Sequence, residues 1–185
     1  MRIALFPSLF ATLLLAGCAE TSVVQSVPPG TFSGQHARSV YVPRLVANAD
    51  WASAVSMAFV DELSAKTKGR VTVVPGEPVT NAPLGEAARL PAAEAAFGGQ
   101  GDTGPTMSDA GLVSARRVGA GLLALGDVST HQGPGGYVAE ATVQVVAVSA
   151  GTTLFRLRQE AGAPDERQAA LAATVRAADA LAGGF

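Results

Sequence analysis

The sequence predicts an α/β fold: a mixed β-sheet of about five strands with helices packed on it, in the order β-α-β-(loop)-α-β-β-β-α. Three observations carry this. Short runs rich in β-branched residues alternate with stretches whose apolar residues recur at helical spacing. The last strand-like runs follow one another across short Gly-containing turns, as antiparallel hairpins do. The earlier strands are separated by helices, which lets neighbours run parallel, so the sheet is mixed and needs helices to cover it.

The elements follow in order. Ser39-Val40-Tyr41-Val42-Pro43 reads as a first strand, with Pro43 marking its end or an edge position. Asn48 and Asp50 offer helix caps, and Trp51, Val55, Phe59 and Leu63 then recur every fourth position, which predicts an amphipathic helix from Trp51 to Lys66. Lys68-Gly69 ends it. Arg70-Val71-Thr72-Val73-Val74 is the second strand, stopped by Pro75-Gly76. Residues 77–105 carry Pro78, Pro83, Pro91 and Pro105 and the run Gly98-Gly99-Gln100-Gly101, and read as a long loop with at most a short helix. Ser108-Asp109 opens the next helix, which Gly119 stops. Gly121 to Val128 is a nearly continuous apolar strand of the kind covered on both faces. Tyr137 to Val148 alternates, with Tyr137, Ala139, Ala141, Val143, Val145 and Ala147 on one face and Glu140, Thr142 and Gln144 on the other. In Leu154 to Gln159, Phe155 and Leu157 oppose Arg156 and Arg158. Pro164-Asp165-Glu166 starts a last helix, with Leu171, Val175, Ala178 and Ala182 along one face and Gly183-Gly184 after it.

Composition excludes several functions. The 185 residues are 48% hydrophobic and 15% charged, which is enough apolar material for a core and too little charge for a wholly disordered chain. A formal net charge of −2 argues against nucleic acid as a partner, since phosphate binding needs a basic face. One Cys and two His, His36 and His131, rule out an internal disulfide and leave little for a metal centre, so no metal and no cofactor is expected.

The amino terminus speaks to location. Arg2 is followed by an uncharged apolar run too short to span a bilayer, which takes ~20 apolar residues. The run ends in Leu15-Ala16-Gly17-Cys18, the pattern of a bacterial lipobox, and Cys18 is the chain's single Cys. Residues 1–17 therefore read as a lipoprotein signal peptide and Cys18 as the acylated residue, anchoring the protein to the bilayer. Ala19, where an Asp would favour inner-membrane retention, leans toward an outer-membrane location facing the periplasm. Residues 18–38, with Pro28-Pro29-Gly30 and no apolar period, read as a flexible lipidated tether, and residues 39–184 as a single α/β domain.

No catalytic constellation emerges. His131 lies near Ser129 and Thr130, but alternate strand positions sharing a face do not make an activated nucleophile, and the group reads as a polar hairpin end. Asp61 and Glu62 diverge by about 100° on a helix and do not converge on one atom. The Gly-rich runs lack the Lys-Ser/Thr of a phosphate loop. Arg156 and Arg158 share a strand face that could take an acidic partner or lipid headgroups, or lie solvated at a sheet edge.

The element order and one pattern resemble the envelope lipoproteins of the curli-secretion (CsgG), penicillin-binding-protein-activator (LpoB) and TolB amino-terminal-domain type. The pattern is Gly119-Ala120-Gly121-Leu122-Leu123-Ala124-Leu125-Gly126-Asp127-Val128, a small-residue turn leading into an apolar strand, and the resemblance spans about Ser39 to Gly183. The chain departs from it at Gly121, where many members have Asp, and in the long segment 77–105. The resemblance implies an α/β domain used for docking or assembly, with no catalytic residues to carry over. The expected function is a non-catalytic adaptor or assembly factor for an envelope complex; the alternative is a subunit of a multimeric export or surface-organelle complex, which leaves a homo-oligomer open. The expected partners are the bilayer, through acylated Cys18, and an envelope protein meeting the 77–105 loop at Arg89 and Phe97 with the adjoining Arg116 and Arg117, or else the strand face of Arg156 and Arg158.

Overall fold

The structure, a computed structural model, describes residues 23–24, 26–32, 38–78 and 109–185. Their elements are β1 (Val23–Val24), β2 (Ser39–Arg44), α1 (Ala52–Thr67), β3 (Thr72–Pro78), α2 (Asp109–Arg117), β4 (Leu122–Gly133), β5 (Gly136–Ala147), β6 (Thr152–Ala163) and α3 (Glu166–Ala182). The expected order is found, with the two-residue β1 added in front of it. The strands form one mixed sheet in the order β1-β6-β5-β4-β2-β3. β2 lies parallel to both β3 and β4, β1 parallel to β6, and β4-β5-β6 is an antiparallel meander.

The connectivity decides which face each helix covers. The chain steps outward from β2 through α1 to β3, then back across β2 through α2 to β4. Right-handed crossovers that travel in opposite directions across a sheet lie on opposite faces. Accordingly α1 buries Val55, Phe59 and Leu63 with Val40 and Val42 of β2, while α2 buries Leu112 and Ala115 with Tyr41, Leu123 and Val146 on the other side. α3 returns beside α1 and closes the first face over β5 and β6.

Several expectations about extent are corrected. β3 does not stop before Pro75 but runs to Pro78, because it is an edge strand and a proline facing outward there removes no ladder hydrogen bond. Residues 77 and 78, expected in the loop, thus belong to β3, and residues 79–108, with the rest of the expected 77–105 loop, lie outside the described residues. Gly76 is needed in β3, since a Cβ there would fall inside the Tyr41 phenol. β4 continues five residues past Val128 into a hairpin with β5, each strand twelve residues long. α1 starts at Ala52; its amino-terminal cap is Trp51, which has no side-chain bond to offer, and the Asn48 carbonyl accepts the Trp51 and Ala52 amides instead.

The buried face of α3 includes the expected Ala178 and Ala182, with Leu181, and is turned from Val175 toward a row of further alanines. Val175 is exposed and Leu171 half-buried, while Ala169, Ala170, Ala173, Ala177 and Ala178 are fully buried. Alanine has the highest helix propensity and no side chain to hold the helix off the sheet, so the small face packs inward. Asp165 caps the helix, its carboxylate accepting the Gln168 amide at 3.0 Å.

The flexible tether expected over 18–38 is corrected for the residues that are described. β1 pairs with Arg156 and Leu157 of β6, and Val27 and Phe32 are buried at 4% and 2% exposure. Phe32 sits edge-on to Phe155 with ring centres 5.8 Å apart, 4.7 Å from Phe185, and its amide donates to the Gly184 carbonyl at 3.0 Å. Aromatic burial of this kind outweighs the Pro-Gly composition that suggested a linker. Residues 1–22 and 33–37 lie outside the described residues, and with them the signal peptide and Cys18.

Phe59 is 1% exposed in the main core, so Phe59→Ala should cost ~3–5 kcal/mol of folding free energy. Denaturant titration of the purified protein measures it, and an unchanged midpoint would show that α1 is placed the wrong way round.

Candidate partner-binding surface

Strand register assembles the sheet face that carries α2. Leu123, Leu125, Asp127, Ser129 and His131 alternate onto it from β4, and Val146, Gln144, Thr142 and Glu140 face it from β5. β6 adds Arg156 opposite Gln144, Arg158 opposite Thr142 and Glu160 opposite Glu140. α2 covers the apolar end of this face at Leu123 and Val146, so the remainder, from Gln144 outward, forms a polar surface.

Its centre is an ion-paired group. Arg158 bonds the Glu140 carboxylate at 2.5 Å and the Glu160 carboxylate at 3.1 Å. Glu140 also accepts the Thr142 hydroxyl at 3.3 Å. Next to it, burial pushes the Asp127 carboxyl above the ordinary carboxylate range, and the charge of Glu140 adds to the shift. Gln144 is fully buried and donates to the Thr153 hydroxyl at 2.6 Å, while its Oε1 and the buried Nε of Arg156 have no hydrogen-bond partner among the described residues.

The expected contact residues fare differently. Arg89, Phe97 and Cys18 lie outside the described residues. Arg116 and Arg117 are exposed at the carboxyl end of α2, the Arg116 Nε donating to the Val148 carbonyl at 3.4 Å. Arg156 and Arg158 share a face as expected, and it is the face that α2 partly covers. Arg158 is paired with two carboxylates of the same sheet. Sequence reasoning missed the roles of Glu140 and Glu160. The signal was present, since Glu140, Thr142 and Gln144 alternate outward on one arm of a hairpin whose other arm alternates Arg156, Arg158 and Glu160. Near the hairpin tip, the Thr130 hydroxyl donates to Glu166 at 2.6 Å, and His131 is exposed. Among the described residues, no three His, Cys, Asp or Glu side chains gather as a metal site, and no helix is long and apolar enough to cross a membrane.

This architecture has counterparts among solved structures. The chain is similar to the PelC dodecamer from Paraburkholderia phytofirmans, with a TM-score of 0.50 and 15% identity over 86% of this chain and 96% of that one. It is also similar to lipoprotein GNA1162 from Neisseria meningitidis (TM-score 0.39, 12% identity, 66% of this chain and 78% of that one). TolB from Acinetobacter baumannii follows at 0.35 and 12%, over 72% of this chain and 24% of that one. At these identities the PelC likeness concerns the fold, which is the α/β fold the sequence led us to expect. No protein-family model and no curated protein matches the chain.

Asp127 gives this surface a pH signature. Its folded pKa is raised, so the folded state holds the proton more tightly than the unfolded state, and the stability this contributes is present in acid and lost as pH rises through the raised value. Asp127→Asn should therefore raise the thermal midpoint at neutral pH, with a gain that shrinks as pH falls through the carboxylate range. A gain independent of pH would mean the carboxyl is not desolvated.

Proposed function

We propose that the protein is a lipid-anchored component of the bacterial envelope that works by surface recognition, as a non-catalytic adaptor or assembly factor for an envelope complex. The observation that carries this reading is the Leu15-Ala16-Gly17-Cys18 sequence, which puts the single thiol of the chain where a lipobox requires it. Ala19 favours the outer membrane, with the domain in the periplasm. The fold supports the reading by analogy, since it is shared with PelC. Recognition of a protein partner fits the polar sheet face, where Glu140, Glu160 and Arg158 offer hydrogen-bonding groups on rigid strands.

The dodecameric state of PelC favours a second reading, in which this chain is itself the repeating subunit of an export or surface-organelle assembly. A ring is built from one interface repeated head to tail. Mass measurement of the detergent-solubilised protein separates the two: a monomer supports the adaptor, a closed oligomer the repeating subunit.

The anchor is tested directly. Wild-type protein should incorporate labelled palmitate and fractionate with membranes, and Cys18→Ser should abolish the label and release the protein to the soluble fraction. A wild-type protein that takes up no label and stays soluble would sink the proposal.

A further inference from the structure

One end of the sheet is strongly cationic. The strand pairings Ser39 with Thr72, Val40 with Leu122, Leu122 with Ala147 and Ala147 with Thr152 bring the starts of β2, β3, β4 and β6 to the same end. α1 and α2 deliver their carboxyl termini there as well. Gathered at that end and exposed are Arg38, Lys66, Lys68, Arg70, Arg116 and Arg117. Lys66 is paired with Glu62 at 3.5 Å and Asp179 at 2.8 Å, and Arg70 donates to oxygens of Thr67 and Phe185 at 3.1 Å. Val113 and Val118 are 45% and 48% exposed beside Arg117, with Val113 and Arg117 one helical turn apart. The opposite end is mixed, with Asp50, Asp165 and Arg167 exposed and Glu166 and Arg44 half-buried. Helix dipoles account for cations in the last turns of α1 and α2. They do not account for Arg38, which precedes a strand, or for the exposed valines.

The chain's route ties this end to the lipid. β1 runs parallel to β6, so its amino-terminal side points to the end where β6 starts, the cationic one. Val23 pairs with Arg156, four residues in from Thr152 and so ~13 Å from that end. Cys18 is five residues before Val23, and five residues span at most ~18 Å. A lipid on Cys18 has only a few ångströms to spare beyond the end of the sheet.

We propose that the cationic end rests on an anionic bilayer surface, its Lys and Arg side chains meeting headgroup phosphates and Val113 and Val118 entering the interface. The proposal rests on acylation of Cys18, and it reassigns Arg116 and Arg117 from a protein partner to the membrane. Basic side chains near a charged leaflet, added to acyl chains, are the combination that holds a protein flat on a bilayer. β1 acts as the clamp that sets the orientation, leaving the polar sheet face and the opposite, mixed-charge end turned to the periplasm.

The test uses the acylated full chain. With the native thiol blocked by lipid, Val118→Cys or His131→Cys gives a unique site for an environment-sensitive dye, one at the cationic end and one at the opposite hairpin tip. On phosphatidylcholine vesicles containing phosphatidylglycerol and a nitroxide lipid, the dye at position 118 should be quenched several-fold more than that at position 131. Adding Lys68→Glu and Arg117→Glu should at least halve the quenching at 118 while the protein still floats with the vesicles. Equal quenching at the two sites, or quenching that ignores the charge reversals, overturns the docking orientation with the anchor intact. Protein that does not float at all overturns the anchor reading and the orientation together.

Discussion

The close approach of α3 to the β5–β6 hairpin sets the geometry of the molecule. Five fully buried alanines line the inward side of that helix, and the strands beneath answer with Ala139, Ala141, Val143 and Val145. Small residues on both sides let backbone lie near backbone, so the layer is thin and tolerates little added volume. α1 then lies alongside α3 on the same face, with Phe59 and Leu63 buried in the shared core. Because one face is closed so completely, every outward-pointing residue of the long hairpins is left for α2 or for polar surface. The ion-paired group around Arg158 and the buried Gln144 are products of that division.

The fold was legible where pattern and local chemistry agreed. α1 announced itself through Trp51, Val55, Phe59 and Leu63, and all four are buried. The alternation in β5 assigned Ala139 through Val145 to the core side correctly. Reading failed where a residue's type misrepresented its surroundings. Val175 looks like a core residue but is exposed, and Ala169, Ala170, Ala173 and Ala177 face inward instead. Pro75 looks like a stop, yet an edge strand has no partner for its missing amide. Val27 and Phe32 were hidden in a Pro-Gly stretch because their partners, Phe155, Gly184 and Phe185, lie far along the chain. Of the binding surface, the Arg156–Arg158 face was readable from period two. The carboxylates that neutralise Arg158 were not connected to it, because that needs the β5–β6 register.

The same register explains why the two arginine pairs differ in character. Arg158 is locked between Glu140 and Glu160, and a side chain so held can shape a surface but has little charge left to offer. Arg117 has no carboxylate partner among the described residues and projects from a helix end next to exposed apolar side chains. Held charges favour geometric recognition by another protein, whereas free charges beside valines favour a broad, fluid surface. The fold thus separates two kinds of charge along one face of one rigid sheet, the Arg158 group on the uncovered strands and Arg117 at the end of the helix that covers the rest.

The contact of Phe32 with Gly184 and Phe185 has a bearing on biogenesis. Synthesis proceeds from the amino terminus, so Phe32 emerges among the earliest of the described residues and Gly184 and Phe185 among the latest. Until those partners arrive, β6 has no β1 across its edge and the aromatic cluster is unfilled. Until β1 is in place one edge of the sheet is unpaired and Phe32 is uncovered. The contact draws the amino-terminal and carboxyl-terminal parts of the described residues together at one edge of the sheet.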